Sequence, residues 1–315
     1  MVKDNAYDKP KIIALLGPTA SGKTGLGVRL AHKLNGEIVS ADSRQVYRGM
    51  DIGTGKDLPD YKYKGKDIPY HLIDIVSPRS NFNLARYQRL ALKAVADILK
   101  RGKLPIIVGG TGLYIQAIID NYKLSDFKSN REFRVKLEKL GAKKLYERLV
   151  KANAEFAGRI NNSDKNNARR LSRYIELIEK GEHLLEKKDK SPYDFLVLGM
   201  KIDDKTMRER IASRLDKRID EEGMTSEVET LRNSGISYKR LISFGLEYKF
   251  ISYFLQGKIN QEEMREKLST AIYRFAKKQK TWFKRFEKQG QKINWVENYQ
   301  EARDLVNEFL KKKQK

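Results

Sequence analysis

Residues 17–24 constrain this chain more than any other part of its sequence. They read Gly-Pro-Thr-Ala-Ser-Gly-Lys-Thr and match the phosphate-loop pattern G-x-x-x-x-G-K-[ST] at every fixed position. A short apolar run over residues 12–16 precedes them, and Leu26, Leu30 and Leu34 follow at helical spacing. A glycine turn between a strand and a helix lets backbone amides and the helix N-terminus surround phosphate oxygens. The sequence therefore predicts a polyphosphate site.

The members of this loop have distinct predicted tasks. Lys23 is expected to reach the outer phosphate, and the Thr24 hydroxyl is expected to bind Mg²⁺. The predicted phosphate-binding residues are Gly17, Pro18, Thr19, Ala20, Ser21, Gly22, Lys23 and Thr24. ATP is the usual ligand of such a loop, but the diphosphate of an allylic substrate fits the same cradle. The loop alone does not distinguish them.

The apolar pattern alternates between strand-like and helix-like segments. Strands are predicted over residues 12–16, 37–42, 104–108 and 195–200. Helices are predicted over residues 26–34, 84–98, 207–219 and 264–275, with another beginning at residue 113. Residues 61–66 indicate an exposed loop. This alternation predicts an α/β fold with a P-loop NTPase-like parallel sheet and helices on both faces.

The pattern changes near residue 123. From there to about residue 192 the sequence is charged and helical, and no strand is predicted; Leu171, Ile175 and Ile178 share one helix face. We therefore predict a P-loop α/β core of residues 1–122 and 193–315, which ends in basic C-terminal helices. A mainly helical insertion, residues 123–192, interrupts it.

Two further turns are expected at the edge of the sheet that carries the phosphate loop. Asp42 ends the second predicted strand, and Gly109-Gly110-Thr111-Gly112 follows the third. Open α/β sheets bind ligands at this edge, so the Asp42 carboxylate is expected to accept a proton or hold a metal. A nucleotide hydrolase carries an aspartate after a further strand. The third strand ends without an acid, which disfavours a hydrolase and leaves a small-molecule kinase open.

The charge balance points to a polyanionic partner. Lys and Arg number 65 against 41 Asp and Glu, a formal net charge of +24, and nucleic acid is the commonest polyanion. The absence of cysteine excludes disulfides, thiolate catalysis and Cys-based zinc sites. No apolar run approaches the roughly 18 residues of a membrane span, and the polar first residues lack a signal-peptide segment. We expect a cytoplasmic protein with no membrane partner.

Several segments together resemble the tRNA dimethylallyltransferases, also called tRNA isopentenyltransferases. The matching segments are residues 17–24, 40–47, 51–56 (Asp-Ile-Gly-Thr-Gly-Lys), 71–75 (His-Leu-Ile-Asp-Ile), 109–114, 170–173 (Arg-Leu-Ser-Arg) and 278–283 (Lys-Gln-Lys-Thr-Trp-Phe). They occur in the family's order over about residues 11–286. Only the phosphate loop is decisive by itself, whereas the set is specific.

The resemblance implies transfer of a dimethylallyl group from dimethylallyl diphosphate to the N6 amine of the adenosine 3′ to the anticodon. Residues 17–24 would then hold the diphosphate with Mg²⁺, through Thr24, rather than ATP. Asp42 would be the general base, Thr111 would contact the reacting region, and Lys23 would stabilise the departing diphosphate. The implied partners are dimethylallyl diphosphate and the tRNA anticodon stem-loop, and we expect a monomer.

The resemblance also implies tRNA contacts from the core and from the insertion. The expected tRNA-binding residues are Asp42, Ser43, Arg44, Gln45, Thr111, Arg134, Arg169, Arg170, Leu171, Ser172, Arg173 and Arg240. One segment departs from the family, which commonly has Gly-Tyr-Arg/Lys-Glu where this chain has Gly245-Leu246-Glu247-Tyr248. Arg240 or Lys249 is the expected substitute for the lost basic residue.

Three other functions remain open at this point. A free-nucleotide (AMP) isopentenyltransferase is disfavoured by the basic insertion, because AMP needs no such surface. A P-loop small-molecule kinase explains neither the charge nor the matching segments. A non-catalytic RNA-binding module would not need Lys23, Thr24 and Asp42 together. Basic residues interleave with aromatic residues between positions 272 and 293, which favours RNA contact for the basic residues and burial for the aromatic ones.

Overall fold

The computed structural model describes residues 9–124, 130–181 and 187–312. The chain forms two compact units. The core unit comprises Met1–Asp120 and Ser191–Lys315, and the inserted unit comprises Asn121–Lys190. These boundaries lie two residues before those predicted from the sequence. Within the described ranges, no helix has both the length and the hydropathy needed to cross a bilayer.

The central element of the core unit is a six-stranded sheet in which every neighbouring pair is parallel. The strands of the chain are β1 (Lys11–Leu16), β2 (Gly36–Ser40), β3 (Lys62–Tyr63), β4 (Lys66–Asp67), β5 (Tyr70–His71), β6 (Leu104–Gly109), β7 (Tyr122–Lys123), β8 (Lys187–Lys188), β9 (Asp194–Met200) and β10 (Asn294–Val296). Their order in the sheet is β10-β9-β1-β6-β2-β5. The predicted α/β class and parallel sheet are confirmed.

Helices account for most of the remaining described residues. They are α1 (Lys23–Leu34), α2 (Leu84–Lys100), α3 (Gly112–Ile119), α4 (Arg131–Glu138), α5 (Gly141–Ala152), α6 (Ala154–Arg159), α7 (Asn162–Lys165), α8 (Ala168–Glu179), α9 (Asp204–Asp220), α10 (Met224–Asn233), α11 (Tyr238–Ser243), α12 (Leu246–Leu255), α13 (Gln261–Lys288) and α14 (Tyr299–Lys311). A 3₁₀ helix covers Leu58–Tyr61.

Two sequence predictions of irregular structure were wrong. Residues 61–66 were expected to form an exposed loop, but strands β3 and β4 pair over residues 62–67 as an antiparallel hairpin, and Tyr61 is buried. Strands β7 and β8 pair within the inserted unit, where no strand was expected. Strands β5 and β10 were also missed. Each of these strands has two or three residues, too few to show a period-2 pattern.

Side chains of β1 alternate between two apolar layers, one on each face of the sheet. Ile12, Ala14 and Leu16 pack with residues of α2, α3 and the end of α13. Ile13 and Leu15 pack with residues of α1 and α14. Successive strand side chains point to opposite faces, so a continuous apolar run is the pattern required of a strand covered on both sides.

Helix α13 connects two separate apolar clusters of the core unit. Its first half contributes Met264 and Leu268 to a cluster with α9, α10, α11 and α12. Its last turns contribute Phe283 and Phe286 to the layer that covers the sheet. The helix has 28 residues, which corresponds to about 42 Å at 1.5 Å per residue. Its middle therefore passes the sheet edge at which the phosphate loop lies.

The inserted unit has its own apolar core. Leu145, Leu149, Phe156, Leu171 and Ile175 are buried in it, and they lie on α5, α6 and α8. Helical spacing in the sequence had predicted this face of α8. The unit therefore has the apolar centre expected of a small helical domain.

The turns that follow β2 and β6 contact each other through the backbone. The Ala41 amide donates to the Val108 carbonyl at 2.8 Å, and the Ala41 carbonyl accepts from the Thr111 amide at 3.1 Å. Gly109 lies at this contact, where a Cβ atom would be 2.2 Å from the Ala41 carbonyl oxygen. Only glycine allows the two turns to approach this closely.

We expect Gly109→Ala to lower the free energy of unfolding by about 1–3 kcal/mol, because the added methyl forces the two turns apart. Gly25→Ala is the matched control, since a Cβ atom there meets nothing within 4 Å and alanine favours the helix. Urea denaturation followed by circular dichroism measures both variants. Equal stability of the two variants would contradict the packing argument.

Candidate active site

The phosphate loop forms a tight turn between β1 and α1. Ala20 and Gly22 have left-handed backbone angles, with φ of 62° and 86°. Gly22 is the N-cap of α1, and no side chain caps the first helical turn. Gly17 is also required, because a Cβ atom there would lie 2.5 Å from Oγ of the buried Ser21. The N-terminus of α1 thus carries no side-chain cap, and phosphate binding there stays a prediction.

A small polar cavity lies at the C-terminal edge of the sheet, and residues from several chain segments line it. These are Thr19, Lys23, Thr24, Asp42, Arg44, Gln45, Thr54, Gly55, Asp57, Tyr61, Val108, Gly109, Arg214, Arg218, Glu247, Phe275 and Gln279. The structure therefore brings Thr19, Lys23 and Thr24 of the predicted phosphate loop and the predicted base Asp42 into one cavity. Acidic and basic side chains face each other in it, which suits a charged ligand.

The ammonium group of Lys23 is perturbed by this position. Its Nζ donates to the Pro18 carbonyl at 3.3 Å. Removal from water lowers the pKa of Lys23 from its ordinary 10.5 to about 8, although the nearby Asp42 carboxylate opposes the shift and Arg214 adds to it. A lysine that is poorly solvated and close to other cations is stabilised by a bound anion.

Two arginines of α9, missed by the sequence analysis, complete the basic side of the cavity. Arg214 donates to the Thr19 hydroxyl at 2.6 Å, and Arg218 donates to the Asp57 carboxylate at 2.7 Å. Burial and the neighbouring Arg218 charge lower the pKa of Arg214 to about 10. A signal was present in the sequence, since Arg210, Arg214 and Arg218 recur every four residues and so share one helix face.

Asp42 lies in the turn after β2, and a backbone amide of the same turn fixes one of its carboxylate oxygens. Oδ1 accepts from the Arg44 amide at 2.9 Å. Thr111 lies behind this turn, and its hydroxyl accepts from the Ser43 amide at 3.0 Å. Thr111 does not line the cavity in the described structure. Its observed contact fixes the Asp42 turn, and its predicted contact with the reacting group stays a prediction.

Gln45 and Arg44 connect the same turn to more distant segments. The side-chain amide of Gln45 makes both contacts: its Nε2 donates to the Gly55 carbonyl at 2.9 Å, and its Oε1 accepts from the Ser40 hydroxyl at 2.8 Å. Arg44 Nη1 lies 2.5 Å from the Glu247 carboxylate. Burial opposes the charge of Arg44, but Glu247 and Asp42 outweigh burial and raise its pKa above the ordinary value.

Glu247, in the segment of residues 245–248, contributes a carboxylate to the lining of the cavity. Glu247 pairs with Arg44. Tyr248 is buried, and its hydroxyl donates to Glu227 at 2.7 Å. Glu227 also accepts from the amides of residues 51, 52 and 53, at 2.7, 2.7 and 3.1 Å. Tyr248 thus helps to fix the loop that brings Asp57 into the cavity.

Gln279, in the middle of α13, joins the two glycine turns. Its Oε1 accepts from the Thr19 amide at 2.8 Å, and its Nε2 donates to the Gly110 carbonyl at 2.8 Å. It is buried, so both contacts are shielded from water. The sequence analysis gave this residue no individual role, because its partners lie 169 and 260 positions away.

Arg240 lies outside the cavity. Its guanidinium donates to the carbonyls of Pro78 and Ser80 at 2.7 and 2.6 Å and stacks 4.4 Å from the ring centre of Phe244. These contacts tie residues 78–80 to α11. Its contact with tRNA therefore stays a prediction.

The predicted tRNA-binding residues of the inserted unit divide into exposed and buried side chains. Arg169, Arg170 and Arg173 are exposed on α8. Leu171 and Ser172 are both 0% exposed, Leu171 in the unit's apolar core. These two side chains offer no surface to a ligand, because they are buried within their own unit, and a tRNA contact by these residues stays a prediction.

Arg134 is the remaining predicted contact in the inserted unit. Its guanidinium pairs with Glu176, which is buried and also accepts from the Asn130 amide. This pair ties α4 to α8. The observed role of Arg134 is structural, and an additional tRNA contact stays a prediction.

Hard oxygen ligands are present beside the phosphate loop. The Thr24 hydroxyl and the Asp42 and Asp57 carboxylates line the same cavity, and such groups suit Mg²⁺. In the described part of the chain, no group of three or more His, Cys, Asp or Glu side chains forms a metal site. A magnesium ion here would therefore need oxygens of the bound phosphate and water in addition to the protein ligands.

Comparison with known proteins gives one consistent family. The sequence model of the IPP transferase family matches residues 45–286. A tRNA dimethylallyltransferase 1 of Geotalea uraniireducens is 44% identical over 302 residues, which cover 95% of this chain and 97% of that protein. A tRNA dimethylallyltransferase 1 of Syntrophus aciditrophicus is 47% identical over 289 residues, which cover 91% of this chain and 93% of that protein.

Solved structures agree with the sequence relatives. The tRNA isopentenylpyrophosphate transferase of Bacillus halodurans is 34% identical with a TM-score of 0.68, and the match covers 96% of each chain. A eukaryotic dimethylallyltransferase described as acting on tRNA is 26% identical with a TM-score of 0.77, covering 96% of this chain and 79% of that chain.

We expect Gln279→Met to weaken the binding of inorganic diphosphate and to lower the free energy of unfolding by about 1–3 kcal/mol. The variant keeps the side-chain volume but leaves the Thr19 amide and the Gly110 carbonyl without their partner. Calorimetric titration and urea denaturation measure the two effects. Gln300→Met makes the same change at an exposed position of α14 and serves as the control. Identical behaviour of the two variants would refute the bridging role.

Proposed function

The chain belongs to the tRNA dimethylallyltransferase family, and from this premise we propose how its residues carry out the reaction. The N6 amine of an adenosine in tRNA attacks C1 of dimethylallyl diphosphate, a C–N bond forms, the C–O bond to diphosphate breaks, and the amine loses a proton. One observation carries the proposal: Lys23 and Asp42 line the same cavity. A cation for the leaving group and a base for the nucleophile are thus adjacent.

The leaving diphosphate is the group that needs the most stabilisation. Negative charge grows on its bridging oxygen as the C–O bond breaks, and preorganised cations and amides stabilise that charge. We assign this task to the loop amides, Lys23, Arg214 and Arg218. The hydrogen bond from Arg214 to Thr19 supports the assignment, because it fixes the guanidinium beside the loop.

We propose Mg²⁺ as the cofactor, held by Thr24 and by an acid of the cavity together with diphosphate oxygens. The hard oxygen donors of Thr24, Asp42 and Asp57 fit this ion. When bound, it would supply additional positive charge to the departing diphosphate. The protein's own cations carry the remaining stabilisation.

The base is assigned to Asp42. The lone pair of an adenine amine is delocalised into the ring, so the amine is a weak nucleophile and benefits from proton removal as the bond forms. The Arg44 backbone amide donates to Oδ1 of Asp42, so the turn itself fixes the orientation of the carboxylate. The proton of the amine passes to this carboxylate.

The acceptor must deliver a single base into a small cavity. A base in a stacked loop reaches such a site only after it leaves the stack. We propose tRNA as the partner, with the adenosine 3′ to the anticodon as the target, and exposed arginines of α8 as phosphate contacts. The net charge of +24 supports a polyanionic acceptor. We further propose that the protein acts in the cytoplasm as a monomer.

The direct test is incubation of the protein with Mg²⁺, radiolabelled dimethylallyl diphosphate and unmodified tRNA. AMP replaces tRNA in a parallel reaction. We expect label in tRNA and none in AMP. Label in AMP alone would identify a free-nucleotide enzyme, and failure to label either acceptor would overturn the proposed reaction.

We expect Asp42→Ala to lower the rate of transfer at saturating substrates by about 10²–10⁴-fold, which is the usual contribution of a general base. Binding of tRNA should be nearly unchanged. Asp60→Ala removes an exposed acid outside the cavity and should keep wild-type rates. Single-turnover transfer and filter binding measure the two quantities. Parallel loss of transfer and tRNA binding in Asp42→Ala would argue against a base.

The pKa of Lys23 predicts a pH dependence of diphosphate binding to the free enzyme. Because this pKa is lowered to about 8, the ammonium is charged at neutral pH and loses its proton as the pH rises through 8. We therefore expect the affinity for inorganic diphosphate to fall above that pH. Lys23→Gln should bind inorganic diphosphate more weakly at neutral pH, and its affinity should not show this fall above pH 8. A profile identical in shape for both proteins would contradict the assignment.

A further inference from the structure

Most polar side chains that line the active-site cavity are already engaged by the protein. Their partners are other side chains or backbone groups, as for Gln279 and Arg214. The engaged side chains are Thr19, Arg44, Gln45, Thr54, Asp57, Arg214, Arg218, Glu247 and Gln279. A ligand that contacts one of them competes with an existing hydrogen bond or ion pair.

Four side chains of the lining retain hydrogen-bonding capacity in the described structure. Lys23 makes one hydrogen bond, of 3.3 Å, and one carboxylate oxygen of Asp42 has a partner. Among the described residues, no hydrogen bond engages the hydroxyls of Thr24 and Tyr61. Lys23, Thr24 and Asp42 already have proposed substrate contacts. Tyr61 is the remaining member of this group, and the proposed reaction gives it no role.

The phenol of Tyr61 lies on the acidic side of the cavity. Tyr61 is 5% exposed, and the charges that act most strongly on it are the carboxylates of Asp42 and Asp57. Burial and these two charges raise the pKa of Tyr61, so the phenol keeps its proton at neutral pH and is a hydrogen-bond donor. A buried donor without a partner is costly, and an acceptor on a ligand would relieve that cost.

The fold holds the Tyr61 ring in one place. Asp57 has a left-handed backbone, with φ of 44°, and it caps the 3₁₀ helix Leu58–Tyr61. The Tyr61 carbonyl accepts from the Ile68 amide at 2.7 Å, across the hairpin of β3 and β4. The Tyr61 ring centre lies 4.7 Å from that of Tyr70 on β5. Because the ring is fixed before a ligand arrives, little conformational entropy is lost when the hydroxyl binds.

The position of Tyr61 relative to the sheet separates the two substrates. Tyr61 packs in the apolar layer that contains Leu26 of α1 and Val108 of β6. Helix α1 begins with Lys23 and Thr24, so this layer lies on the phosphate-loop side of the sheet. A hydrogen bond to an anionic oxygen is about twice as strong as one to a neutral acceptor. The diphosphate is therefore favoured over the adenine as the partner of Tyr61.

We propose that Tyr61 is a further substrate-binding residue, whose hydroxyl donates a hydrogen bond to a diphosphate oxygen of the allylic substrate. The inference rests on the proposed function. The Asp42 and Asp57 carboxylates repel an anion, and the Tyr61 hydroxyl gives that side of the cavity a neutral donor. The contact supplies affinity for the diphosphate, while Lys23 and the arginines of α9 supply the positive charge.

The test removes one hydroxyl and keeps every ring. Tyr61→Phe deletes the proposed donor. Tyr70→Phe makes the same change in the ring that packs against Tyr61, outside the cavity lining, and is the matched control. Calorimetric titration measures the affinity for inorganic diphosphate with and without Mg²⁺. Filter binding measures the affinity for tRNA, and urea denaturation measures stability in the same proteins.

We expect Tyr61→Phe to bind inorganic diphosphate about tenfold more weakly, with and without Mg²⁺, because a hydrogen bond to a charged oxygen is lost. Its affinity for tRNA should match the wild type. Its urea midpoint should not fall below the wild type, because the hydroxyl has no protein partner to lose within the described residues. Tyr70→Phe should keep wild-type diphosphate affinity.

Wild-type diphosphate affinity in Tyr61→Phe would overturn the proposal. So would an equal loss in both variants, which would show an effect of ring packing, and a loss seen only with Mg²⁺, which would assign the hydroxyl to water on the metal. Weaker tRNA binding with unchanged diphosphate affinity would place the contact on the base instead. Diphosphate binding is measured without transfer, so failure of the wild type to label tRNA would reject the proposed function separately.

Discussion

The active-site cavity depends on the close contact between the turns that follow β2 and β6. The Ala41 backbone bonds to both Val108 and Thr111, and glycine at position 109 is what allows the approach. Because β1, β2 and β6 are parallel neighbours or next neighbours, their C-terminal ends meet at one edge. The phosphate loop and the Asp42 turn are thus fixed by the sheet itself, and Gln279 of α13 joins the loop to the second glycine turn.

Charge in the cavity is balanced rather than uniformly positive. Arg44 is paired with Glu247, and Arg218 with Asp57. A cation in a poorly solvated site is costly unless an opposite charge satisfies it. Lys23 and Arg214 have lowered pKa values, about 8 and about 10, so they are the cations least satisfied by the protein. A bound anion would supply the missing counter-charge to these two groups.

Residues 245–248 connect the cavity to the loop over residues 51–57. Glu247 lines the cavity and pairs with Arg44. The hydroxyl of the neighbouring Tyr248 donates to Glu227, which also accepts from the backbone amides of residues 51, 52 and 53. Asp57, at the end of this loop, pairs with Arg218 in the cavity. One short segment thus fixes both an acid of the cavity and the loop that carries a second acid.

The sequence by itself determined the parallel α/β core and the family, and it placed the glycine turn of residues 17–24 between a strand and a helix, because these depend on local motifs and on runs long enough to show a period. It did not determine Arg214, Glu247 or Gln279, whose partners lie far away along the chain. It also assigned Leu171 and Ser172 to RNA, although packing within the inserted unit buries both. Only tertiary structure decides such pairings, because helix direction and sheet order, rather than neighbouring residues, set which side chains meet.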